Sequence, residues 1–161
     1  MSLSRRNAFI RLAAAVSAGA VAFRASTAMA DEPAASLSAG AAPAGVPQVV
    51  YHLADLDKVD FVMGNIGNHF KGMGGTDKVH IELVVHGPAL LAFKVGRANP
   101  DLTRRLGQIQ GQGVGLNACG NTLDAQKLTT ADLLPGFSRV NEGGVVRLAT
   151  LQAQGYAYLR P

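Results

Sequence analysis

The 161-residue chain contains one cysteine, Cys119. A single thiol excludes a Cys-x-x-Cys redox pair and a structural zinc site built on several thiolates. Neither His-Glu-x-x-His nor Gly-x-Ser-x-Gly occurs, so the metalloprotease helix and the nucleophile elbow are absent as well. No Gly-Lys-Ser/Thr follows the Gly72 to Gly75 cluster. Gly111-x-Gly113-x-Gly115 precedes an expected strand instead of following one, so neither glycine run reads as a phosphate or dinucleotide loop. Basic clusters are missing too. The formal net charge is +4, but Arg5, Arg6, Arg11 and Arg24 all fall in the first thirty residues, which hold no acid. Setting those four aside leaves eleven Lys and Arg against eleven Asp and Glu, a net of zero from Asp31 onward. A neutral domain without basic patches has little electrostatic grip on phosphates, so nucleic acid is not an expected partner.

The N-terminus supplies the compartment. Three arginines precede an apolar stretch from Leu12 to Phe23, and Ala28-Met29-Ala30 is a small-x-small cleavage site before Asp31. This is the order of a secretory signal, expected over residues 1–30 with cleavage after Ala30. The apolar stretch falls short of the about 20 residues that cross a bilayer. No cysteine lies near the cleavage site, so no membrane anchor is expected once the signal is removed. Ser4-Arg5-Arg6 opens like a twin-arginine signal, with Ala8 standing where an aromatic residue is usual; a general-secretory signal is the alternative. Residues 31–47 are Ala, Ser, Gly and Pro without periodicity, which predicts a flexible tether. The folded unit is then 48–161, one domain with one core, in the periplasm or otherwise exported.

Within that unit strands and helices alternate. A β-rich run at 49–53 leads to a helix, expected to be capped by Asp57, with Val59, Val62, Met63, Ile66 and Phe70 on one stripe. Residues 79–86 give the strongest strand signal, and 88–93 a short helix. Asn99 caps the next helix, with Pro100 at its first position and Leu102, Leu106 and Ile109 inward. Strands follow at 114–118 and near 138–140, with a Thr129/Asp132 capping box between them. A helix over 143–154 and a strand over 156–159 complete the series. Repeated βα units predict an α/β fold with a mostly parallel sheet and helices on both faces.

Ligands of such sheets bind beyond the carboxyl ends of the strands. His52, His86 and Cys119 fall at three of those ends. Behind Cys119 the chain turns into a helix through Gly120, Asn121 and Thr122, whose free amides favour thiolate. Each residue also has a plainer explanation. A lone cysteine is often a packing residue, and His52 and His86 can simply end strands. The Asp55, Asp57 and Asp60 cluster is covered largely by helix capping, and no metal site is expected.

Val50-Tyr51-His52, the 65–69 helix end, Glu82-Leu83-Val84-Val85-His86-Gly87-Pro88, Ala118-Cys119-Gly120-Asn121-Thr122-Leu123 and Gly155-Tyr156-Ala157-Tyr158-Leu159-Arg160-Pro161 together resemble the DsrE/DsrF-like family. The resemblance spans 48–161. It implies a three-layer α/β/α sandwich around a five-stranded parallel sheet, assembled as homo- or hetero-oligomers such as trimers or hexamers. In the family's sulfur-relay members a cysteine accepts sulfane sulfur as a persulfide and hands it on. Those relays are cytoplasmic, whereas this chain carries an export signal. The resemblance makes Cys119 the expected nucleophile and sulfur carrier, with His86 shuttling a proton or holding an anion. His52, Asn117, Gly120, Asn121 and Thr122 are the expected substrate-binding residues. No cofactor is expected beyond the transient persulfide, and the expected partners are a sulfur donor or acceptor protein or a small thiol. Two alternatives stand: an oligomeric binding or assembly module with Cys119 buried, and a small-molecule or metal sensor using His52, His86 and Cys119.

Overall fold

The computed structural model describes residues 45–161. The signal segment and all but the last three residues of the 31–47 tether lie outside the described residues. Five strands, β1 (Gln48–Leu53), β2 (His80–Val85), β3 (Gly115–Cys119), β4 (Phe137–Val140) and β5 (Ala157–Leu159), form one sheet in the order β4-β3-β2-β1-β5. Every pairing is parallel. The chain steps outward from β1 to β4, then crosses back to lay β5 on the free side of β1. This reversal makes the carboxyl end of β1 the topological switch point, where open parallel sheets bind ligands.

Four helices make the crossovers: α1 (Val59–Met73), α2 (Pro100–Gly111), α3 (Gly120–Ala125) and α4 (Gly144–Ala153). Parallel crossovers are right-handed. The three outward steps therefore place α1, α2 and α3 on one face, and the return step places α4 on the other. The core divides accordingly. Val62, Ile66, Phe70, Leu102, Leu106 and Leu123 pack with Val49, Tyr51, Leu53, Ile81, Leu83, Val85, Leu116 and Ala118 in the larger cluster. Val50 and Val84 pack with Leu148, Leu151 and Tyr156 beneath α4. Strand side chains alternate between faces, so this division assigns His52, Glu82, His86, Asn117 and Cys119 to the α4 side.

The ends of the elements follow local chemistry. Asn99 caps α2 by accepting the Leu102 N–H at 2.7 Å, with Pro100 next in line. Asp57 does not cap α1, contrary to expectation. The chain enters that helix through a 3-10 turn, Leu56–Lys58, which places Asp57 inside the turn and Lys58 at the cap without a side-chain bond. The acid instead sits where a helix start favours negative charge. The Thr129/Asp132 capping box forms on a 3-10 turn, Thr130–Asp132. Gly87–Phe93 is a 3-10 segment, opened by Gly87 at φ 58°.

Candidate thiol site

Register places the polar residues at one edge. Leu53 pairs with Val85 and Val85 with Ala118, so His86 and Cys119 each stand one residue beyond a shared row. His52 pairs with Val84, and Val84 with Asn117, one row further in. Helix α4 points its N-terminus at this edge. The Gly144 N–H donates to Cys119 Sγ at 3.1 Å. A side chain at Gly144 would begin 3.3 Å from Cys119 Cβ and 3.4 Å from Cβ and Cδ2 of His86. Glycine at this position lets the helix end reach the sulfur and rest on both residues.

Cys119 is 6 % exposed, yet its surroundings are not those of a packing cysteine. Burial pushes its thiol up. The Thr122 hydroxyl and the Gly144, Thr122 and Asn121 amides push it down by hydrogen-bonding the sulfur, and together they leave it below the ordinary thiol value. The Thr122 hydroxyl is oriented for this task. It accepts the Gly87 N–H at 3.0 Å, which leaves its own proton for Sγ. Gln126 Nε2 donates to the Gly87 carbonyl at 3.0 Å and pins the same turn.

On the other side of His86 lies a chain of polar contacts. His52 Nε2 is 2.5 Å from His86 Nε2, with the rings stacked at 4.6 Å between centroids. His52 Nδ1 is 2.6 Å from the Tyr158 hydroxyl. Arg160 and Asp55, paired at 3.1 Å, flank the two imidazoles. Burial, then the charges of His86 and Arg160, push His52 down to about 4 against the pull of Asp55. Burial and Arg160 lower His86 in the same way.

The His52 shift has a consequence for stability. Between about 4 in the folded protein and about 6.5 in the unfolded chain, the unfolded state binds more protons, so stability rises with pH across that window. Acidification through the window should cost at most about 3.5 kcal/mol, less whatever solvent screening removes, and His52→Gln should flatten the dependence. Denaturant midpoints measured over this range check both expectations; an equally steep fall in the variant would assign the effect elsewhere.

The other expected site residues take more local parts. Asn117 lies on the same face as Cys119, but its amide turns inward to Glu82 at 2.5 Å and to the Leu83 and Gly115 carbonyls at 3.4 Å. Gly120 starts α3 where a Cβ would stand 2.7 Å from the Val140 carbonyl and 3.2 Å from the Arg139 guanidinium. Asn121 offers its backbone N–H to the sulfur, while its side-chain amide lies against Gly143. Tyr158, Gly144, Arg160 and Asp55 complete the edge and escaped the sequence reading. Tyr158 reaches His52 only because β5 pairs with β1, a neighbour relation that no local pattern encodes. The doubled glycine before α4 was the one available hint for Gly144. Among the described residues, no group of three or more His, Cys, Asp or Glu is arranged to hold a metal ion.

A wholly parallel sheet with one hydrogen-bonded cysteine at its carboxyl edge, between the starts of α3 and α4, defines an α/β protein with a polarised thiol site. The chain belongs to the DsrE/DsrF-like family, whose model matches residues 59–161. Membership of this family points to a sulfur-relay-related function. Among solved structures it is similar to MTH1491 from Methanobacterium thermoautotrophicum, a protein of unknown function. The two share 30% identity at a TM-score of 0.62, over 71% of this chain and 99% of that one. The ychN protein from E. coli aligns at 16% identity and TM-score 0.54, over 71% of this chain and 99% of its own. BT1422 from Bacteroides thetaiotaomicron, also of unknown function, aligns at 13% and 0.52, over 71% and 94%. These last two show the fold alone. No functionally curated protein matches the chain.

Proposed function

We propose that this protein is an exported carrier of sulfane sulfur, holding it as a persulfide on Cys119. One observation carries the reading: a sulfur atom that accepts the Gly144 N–H at 3.1 Å beside the start of the next helix, where Thr122 and Asn121 also act to lower the thiol. Such donors favour thiolate, the form that attacks sulfur. Cys119 thiolate attacks the terminal sulfur of a persulfide donor, R–S–SH. A sulfur–sulfur bond forms to Cys119, the bond in the donor breaks, and R–S⁻ leaves. The products are Cys119–S–SH and, once protonated, R–SH. Having no second cysteine, the chain releases its cargo to another molecule, a small thiol or an acceptor protein. We propose further that the domain assembles as a homo-oligomer, a trimer or hexamer; the residues before Asp31 support export.

Mass spectrometry after incubation with a small-molecule persulfide tests this. The wild type should gain the mass of one sulfur, removable by excess thiol, and Cys119→Ser should gain none. The burial of Cys119 favours a second reading, a non-catalytic assembly module. A thiol that takes no sulfur and resists alkylation in the folded state would establish that reading in place of the carrier.

A further inference from the structure

We propose that Tyr158, His52 and His86 form a proton relay between the thiol site and solvent, with the C-terminal strand supplying its outer end. The inference rests on the carrier reading for its biological use, and on the contacts themselves for its chemistry. Two ring nitrogens 2.5 Å apart require one to donate and the other to accept, because two N–H groups would repel and two bare nitrogens would share no proton. At most one of the two rings can therefore be an imidazolium. The surroundings oppose even that: burial and Arg160 act against a charge on either ring, His86 acts against one on His52, and Asp55 alone favours it while already engaged with Arg160. The remaining groups at the edge are the Cys119 thiol and Tyr158. Tyr158 is 39 % exposed and holds His52 Nδ1 at 2.6 Å.

Neutral imidazoles in line have two complete tautomeric arrangements. In the first, Tyr158 donates to His52 Nδ1, His52 Nε2–H donates to His86 Nε2, and His86 carries its proton on Nδ1. In the second, His86 Nε2–H donates to His52 Nε2, His52 Nδ1–H donates to Tyr158, and His86 Nδ1 is bare. Passing from first to second moves one proton inward: His86 Nδ1 gives its proton to the departing R–S⁻, each imidazole takes one from the group behind it, and Tyr158 recovers one from water. Passing back moves one proton outward, taking it from the Cys119 thiol as that group ionises and releasing one from Tyr158 to water. One transfer cycle uses each passage once and leaves the chain as it began. His86 is placed for the inner end by register, standing beside Cys119 one residue beyond the Val85–Ala118 pair, and Nδ1 is the nitrogen that His52 leaves free. His52 and Tyr158 act through it as positioning and conducting residues.

The outward passage is common to every substrate, whereas the inward passage matters only when the leaving group needs a proton. Single-turnover reaction of Cys119 with small disulfides separates this from sulfur carriage. In Tyr158→Phe and His52→Gln, reaction with a dialkyl disulfide, whose thiolate is basic, should slow by about 10²-fold, the lower end of general acid–base effects. Reaction with a nitroaryl disulfide, whose thiolate leaves unprotonated, should slow far less, and this arm also reports that the variants are folded. The wild-type solvent deuterium isotope effect with the dialkyl disulfide should fall towards unity in both variants. Equal slowing with the two disulfides, or none, in both variants would overturn the relay. A leaving-group-selective loss in a protein that accepts no sulfur from a persulfide would keep the relay and remove the carrier function.

Discussion

Thr122→Val should move the alkylation profile of Cys119 to higher pH by one to two units and slow the reaction at neutral pH about tenfold. The Thr122 hydroxyl is the strongest of the donors that lower the thiol, and a hydrogen bond to a charged group contributes about 1.5–3 kcal/mol. At about 1.4 kcal/mol per pKa unit, its removal raises the thiol by one to two units. The substitution keeps the β-branched shape but not the polarity. It therefore also strands the Gly87 N–H, which now donates to that hydroxyl at 3.0 Å, and an unpaired buried donor costs about 1–3 kcal/mol. Two further readouts separate the causes. Thr122→Ser should restore the profile. At high pH, where both proteins are fully ionised, the valine variant should react slightly faster, because a more basic thiolate is a better nucleophile. An unchanged midpoint in the valine variant would show that the hydroxyl does not reach Sγ.

Much of this arrangement was legible in the sequence, for reasons that differ by residue. Asn99 with Pro100, and the Val59 to Phe70 stripe, are local signals, and the structure reproduces both. Strand ends are local too, so His52, His86 and Cys119 could be assigned to one edge from the alternation of strands and helices. Strand order is not local. The partnership of Tyr158 with His52 follows from β5 lying beside β1, with Val50 opposite Tyr158, 108 positions apart in the chain. The Asp57 cap failed because a 3-10 turn and an α-helical start present the same acidic residue at similar spacing. Asn117 shows a third limit. Its face was fixed by alternation, but its amide turns to Glu82, and that choice depends on a carboxylate buried on the adjacent strand.

That carboxylate underlies the second large effect. Glu82 is 4 % exposed on β2, beneath α4, with Asn117 Nδ2 at 2.5 Å, Arg147 at 3.9 Å and His80 Nε2 at 3.4 Å. Gly115 leaves room for it, since any Cβ there would collide with the carboxylate. Arg147 is the only one of these partners that comes from α4, one turn after Gly144. Arg147→Met should destabilise the fold by about 3–5 kcal/mol, the cost of leaving a buried charge without its counter-ion. Adding Glu82→Met should recover most of that loss, because a buried ion pair often exchanges for apolar side chains at little net cost. Denaturation of the two single variants and the double variant measures the coupling directly. The same cycle distinguishes an anchor from a mere packing contact. If the pair fixes α4 over the sheet, Arg147→Met weakens the Gly144 N–H bond to Cys119 Sγ and raises the thiol, a shift that stability loss alone does not produce in the folded protein. Alkylation profiles taken well below the unfolding transition should therefore move upward in Arg147→Met, and back toward wild type in the double variant. If the profiles stay fixed while stability falls, α4 is held by Leu148 and Leu151, and the ion pair supports the fold without tuning the thiol.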